Sequence, residues 1–140
     1  LSAANGKVIN LASMAALMPV PGRAAYCASK SALTQHFETW RPELLNRGID
    51  LLMVFPSFVS TNIEGNALGK DGKPATHAQS KIGKQIGPEQ MARLIIHADI
   101  TGKQRYLSNA LQPRLGYWLW VRFPSLFQKI SWRQFAGELN

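Results

Sequence analysis

Between residues 49 and 55 the chain is apolar at every position except Asp50: Ile49, Leu51, Leu52, Met53, Val54 and Phe55. Successive side chains of a strand point to opposite faces, so a strand of this composition has to be covered on both. That is the pattern of an inner strand of a parallel sheet. Residues 7–12 form a second short run built on Val8, Ile9 and Leu11. Parallel strands need a crossover, and the sequence between the two runs supplies one. From residue 24 to about 46, Ala25, Ala28, Ala32, Leu33, Phe37, Trp40, Leu44 and Leu45 recur at steps of three and four, which predicts a helix. Pro42 is expected to kink it or begin a new turn, and Gly48 to end it. Strand, helix and strand together predict a right-handed βαβ unit.

Beyond Phe55 the reading is coarser. Residues 56–87 are polar and glycine-rich, too long for a simple connection, and are expected to form a flap over a site. Pro88 opens a second helix carrying Glu89, Met91, Ala92, Leu94, Ile95 and Ile96. Gly102 closes it, and residues 104–107 suit a further short strand. At 140 residues, 46% hydrophobic and 17% charged, the chain has the size and composition of a globular domain. The apolar run after Lys7 is interrupted by Asn10 and Ser13, unlike a signal peptide. No window reaches the ~18 uninterrupted apolar residues of a membrane span. The single cysteine, Cys27, fits a reducing, cytoplasmic setting and is expected to be a small buried residue. His36, His77 and His97 lack the spacing of metal ligands.

The chemistry-bearing residues gather around the first strand and helix. Ser13 ends the 7–12 run, Tyr26 follows in the helix, and Lys30 stands four residues after Tyr26 on the same helical face. An ammonium near a phenol favours the phenolate, and a serine hydroxyl can hydrogen-bond the same substrate oxygen. The set predicts proton transfer on a carbonyl/alcohol pair. The segment Gly65-Asn66-Ala67-Leu68-Gly69-Lys70-Asp71 echoes a phosphate loop, but it is one residue short and no Ser or Thr follows the lysine. It is read as part of the flap.

Three motifs in this order resemble the C-terminal part of the classical short-chain dehydrogenase/reductase family. Lys7-Val8-Ile9-Asn10-Leu11-Ala12-Ser13 is similar to the strand ending in the catalytic serine, with Ala12 where a first serine is common. Tyr26-Cys27-Ala28-Ser29-Lys30 fits the Tyr-x-Ala-Ser-Lys form. Pro56-Ser57-Phe58-Val59-Ser60-Thr61 resembles the segment lining the nicotinamide pocket, with Ser57 in place of the usual glycine. The resemblance extends over roughly residues 7–107. It implies an α/β fold, a partial Rossmann-like doubly wound parallel sheet, and NAD(P)-dependent oxidoreduction of a carbonyl or secondary alcohol, with NAD or NADP as cofactor. It makes Tyr26 the general acid/base, Lys30 the residue that tunes it and holds the nicotinamide ribose, and Ser13 the group that orients the substrate oxygen. Pro56, Val59 and Thr61 are implied in cofactor binding. It also implies a homo-oligomer in the full-length protein, with the Tyr26 helix at the subunit contact.

The family's glycine-rich pyrophosphate cradle has no counterpart in these 140 residues. The expectation is that residues 1–112 are the catalytic part of a Rossmann-type domain whose cofactor-binding half is absent, and that the piece alone is inactive. The alternative is a catalytically dead fragment or a peripheral membrane-binding module.

Residues 113–140 extend past the resemblance. The formal charge is +8 overall, and residues 100–140 carry six cations against Glu138. Tyr117, Trp118, Trp120, Phe123, Phe127, Trp132 and Phe135 are interleaved with Arg114, Arg122, Lys129 and Arg133. Such a tail suits a helix at a membrane surface, or rings that cap an apolar substrate's pocket or a subunit interface. No nucleic-acid module is recognisable.

Overall fold

A computed structural model describes residues 6–61, 72–73 and 85–139. The flap segment, with the 65–71 phosphate-loop echo and His77, lies largely outside the described residues. Three strands form one parallel sheet in the order β1 (Lys7–Leu11), β2 (Asp50–Phe55), β3 (Arg105–Leu107). Lys7 aligns with Asp50 and Leu11 with Val54; Met53 aligns with Arg105 and Phe55 with Leu107. β2 therefore sits between two strands, and Leu51 to Phe55 are each no more than 3% exposed. Ile49 falls just before the strand but is buried too, its amide bonded to the Leu44 carbonyl at 2.9 Å.

The two faces of β2 feed two cores. Leu51, Met53 and Phe55 pack with Ala12, Met14 and Leu44, the last on helix α1 (Ala24–Asn46), with Phe37 alongside. Leu52 and Val54 pack with Tyr106 and with Met91 and Ala98 of helix α2 (Pro88–Ile100). The sheet thus has a helix on each face. The strands step across it in one direction while the crossing helices lie on opposite sides, so the two crossovers have opposite hands. One of them departs from the right-handed rule. The second is the freer to do so, because residues 56–87 separate β2 from α2.

α1 runs through Pro42 as one element, and Gly48, at φ 68°, turns the chain just beyond it. Of its apolar positions, Leu44 is buried and Phe37 packs beside it. Ala25, Ala28, Ala32, Trp40 and Leu45 are exposed. Toward the sheet it presents Glu38 and Arg41. Arg41 donates to Glu38 Oε2 at 2.8 Å, to the Leu51 carbonyl at 2.6 Å and to the Gln104 carbonyl at 3.3 Å, and Arg105 donates to Glu38 Oε1 at 2.6 Å. Burial by itself raises the Glu38 carboxyl. Hydrogen bonds from Arg41 and Arg105, with their charges, outweigh burial and hold it below its ordinary value. Across the sheet, Lys7 pairs with Asp99 of α2 at 2.7 Å.

The tail folds as two helices, α3 (Leu111–Arg122) and α4 (Pro124–Leu139), packed on each other.

Candidate active site

The site stands at the carboxyl ends of β1 and β2. Hydrogen bonds continue past β1, from the Ala12 amide to the Val54 carbonyl at 2.8 Å and from the Met14 amide to the Pro56 carbonyl at 3.0 Å. Ser13 is held between them in extended backbone. It caps a 3-10 turn, Met14–Ala16, and its Oγ accepts from the Ala15 amide at 3.1 Å. That bond uses a lone pair, so the hydroxyl proton can serve a second partner.

Tyr26 sits in the first turn of α1 with 43% of its surface exposed. Two contacts dock this end of the helix onto the strand end. Lys30 Nζ donates to the Leu11 carbonyl at 3.2 Å, and Ser31 Oγ donates to the Ala16 carbonyl at 3.0 Å. After β2, Val59 forms a parallel bridge with Ile86, and the Ser60 amide donates to the Ile86 carbonyl at 2.9 Å. The two ends of the 62–84 segment are clasped there.

Ser13, Tyr26, Pro56, Val59 and Thr61 all line one cavity of about 630 Å³. Lys30 does not line it; its ammonium lies behind, on the strand end. The cavity's walls are mostly apolar, and α3 and α4 close its far side. Phe127, Ile130, Ser131, Gln134 and Phe135 line it from one face of α4, at steps of three and four. Gly116 of α3 faces Met18, and a Cβ there would stand at ordinary contact distance, 3.5 Å, from the Met18 sulfur. Arg23, one residue before α1, lies 5.6 Å from the Phe135 ring centroid. The inner face of the tail therefore lines the cavity. A second, smaller cavity of about 340 Å³ lies between α1, β3 and α3, beside Thr34, Glu38 and Tyr117, and holds none of the expected catalytic groups.

Two corrections concern particular residues. Cys27 is half-buried and not enclosed, because it sits in the exposed first turn of α1. Ser131, Gln134 and Arg23 line the cavity unforeseen. The spacing of Phe127, Ser131 and Phe135 carried a signal for the first two, since residues four apart share a helical face.

A family model for the short chain dehydrogenases matches residues 1–72. The chain belongs to this family. The chain is 30% identical over 125 residues to Dehydrogenase/reductase SDR family member 7B of Xenopus laevis, covering 89% of the chain and 39% of that protein. It is 26% identical over 123 residues to a Drosophila melanogaster SDR family protein 7-like, covering 88% and 38%. It thus spans about two-fifths of the length of the curated relatives it matches. Among solved structures, a short chain dehydrogenase from Burkholderia cenocepacia in complex with NADP superposes with a TM-score of 0.71 at 20% identity, over 92% of this chain and 48% of that one. Acetoin dehydrogenase YohF from Salmonella typhimurium gives a TM-score of 0.56 at 20% identity, over 81% and 46%. These likenesses establish the Rossmann-like α/β fold.

Proposed function

We propose that this chain carries the acid–base half of a nicotinamide-dependent oxidoreductase acting on an apolar carbonyl compound or secondary alcohol. The observation that carries the reading is the meeting of Ser13 and Tyr26 with Pro56, Val59 and Thr61 on one largely apolar cavity at the carboxyl edge of a parallel sheet. Tyr26 gives its phenolic proton to the carbonyl oxygen during reduction and takes it back during oxidation. Ser13, fixed by the Ala15 amide, donates its hydroxyl proton to the same oxygen and orients it. Lys30, one turn after Tyr26, is assigned to the phenol and the ribose hydroxyls, toward which its ammonium has to turn from the Leu11 carbonyl.

The donor set fits NAD or NADP at this end of the cavity. Hydroxyls of Ser13, Tyr26 and Thr61 stand beside the apolar surface of Pro56 and Val59, the mixture an aromatic carboxamide needs. Bound there, the nicotinamide supplies or accepts the hydride. The NADP in the Burkholderia relative supports the same assignment. The exposed alanine face of α1, with Ala25, Ala28 and Ala32, is the surface we assign to subunit contact in the full protein.

The test is Tyr26→Phe in the full protein carrying this chain. Turnover of NAD(P)H with an apolar ketone, followed at 340 nm by the absorbance of the reduced cofactor, is expected to fall by ~10²–10⁴-fold while cofactor affinity stays within about twofold. Undiminished turnover would overturn the assignment. The 140 residues alone carry no glycine-rich cradle, so they are expected to bind dinucleotide weakly and turn over little. Saturable micromolar binding by calorimetry would show otherwise.

A further inference from the structure

The helical pair that closes the cavity has a second face. At 100° per residue, Leu111, Arg114, Leu115, Trp118, Val121 and Arg122 fall within about a third of the circumference of α3. All six are exposed, Leu111 by 71% and Trp118 by 55%. α4 repeats the arrangement: Leu126 and Trp132 are exposed beside Lys129 and Arg133, away from the Phe127–Ser131–Phe135 side that faces the cavity, and Ile130 is exposed at the border of the two. Large apolar side chains left in water on both helices, with cations among them, need a partner that is apolar in depth and anionic at its surface. The four cations have no carboxylate partner among the described side chains.

We propose that the outer faces of α3 and α4 seat this chain on an anionic lipid surface. Among the described residues no helix is long and apolar enough to cross a membrane, so the contact is interfacial. The rings of Trp118 and Trp132 enter the headgroup layer while Arg114, Arg122, Lys129 and Arg133 meet lipid phosphates. Lipid is favoured over a protein partner in one further respect. Leu115 and Ile130 are about half exposed, yet they also line the cavity. The cavity therefore borders the same apolar surface, and a water-insoluble substrate can pass between lipid and site without crossing water.

The proposal does not depend on the oxidoreductase reading, because its test measures no turnover. The chain is sedimented with vesicles of phosphatidylcholine alone and of phosphatidylcholine with about a third phosphatidylserine, at low and at physiological salt. Binding is expected to be at least tenfold tighter on the anionic vesicles, to weaken as salt rises, and to be accompanied by a blue shift of tryptophan emission. The quadruple variant R114Q/R122Q/K129Q/R133Q should lose that preference, while R47Q/K103Q/R93Q, which removes cations elsewhere, should keep it. Circular dichroism checks that both remain folded. Equal binding to the two vesicles, equal loss in both variants, or concentration-dependent self-association without lipid binding would each overturn the proposal. The last outcome would make this face a contact between copies.

Discussion

Glu38 shows how much one side chain can decide. Its carboxylate is 13% exposed and receives two guanidinium groups, one from its own helix and one from β3. Replacing it with Gln removes the charge but keeps one acceptor, and we expect a loss of about 1–3 kcal/mol of stability, measured by urea unfolding near pH 7. The pH dependence has a definite sign. The folded pKa lies below the unfolded one, so this contribution is complete above the unfolded value and is lost as pH falls through the folded one. The gap between wild type and Glu38→Gln should therefore narrow on acidification. At the site, Ser13→Ala is expected to lower turnover by about 10²–10³-fold, the usual cost of losing an oxyanion donor, in an assay on the full protein. It also removes the cap on the 3-10 turn, so thermal unfolding has to be compared alongside.

At the scale of elements, α3 carries a glycine, Gly116, where it faces Met18 and Phe127. Alanine there meets only ordinary van der Waals contact at Met18. Gly116→Ala should stabilise the helix by about 0.5–1 kcal/mol in thermal unfolding. Gly116→Leu, by contrast, puts a branched side chain against Met18 and Phe127 and should raise KM for bulky substrates more than for small ones. Elements were legible in the sequence where periodicity and punctuation agreed. The run at Leu51–Phe55, the Pro88 start of α2 and Gly48 beyond α1 each have a local physical cause, and each stands within a residue or so of its expected place. The inward face of α1 was legible only at Phe37 and Leu44. Its apolar residues are spread round the helix, and the polar Glu38 and Arg41 turn inward because partners distant in sequence, Arg105 and the Leu51 and Gln104 carbonyls, satisfy them. The site was half legible. Ser13, Tyr26 and the 56–61 segment carry motifs, whereas the part played by Ser131 and Gln134 depends on how α4 folds back over the cavity.

Over the whole molecule, protection should follow position in the sheet. Among the described residues β2 is paired on both edges and covered on both faces, while β1 is paired on one edge, with Ile9 and Leu11 exposed by 43% and 52%. In native-state hydrogen exchange, the amides of Leu52, Met53 and Val54 should be the slowest, opening only with global unfolding, and those of β1 appreciably faster. The clasp between Val59 and Ile86 has a different consequence. It ties together the chain on either side of residues 62–84. With both ends already held together, closing an insert twice as long costs only about 0.6 kcal/mol more, a shift of no more than about 4 °C in the unfolding midpoint. Ser13, Tyr26 and Lys30 stand on the scaffold outside the clasp. New sequence spliced between the clasped ends should therefore leave these three side chains where they are.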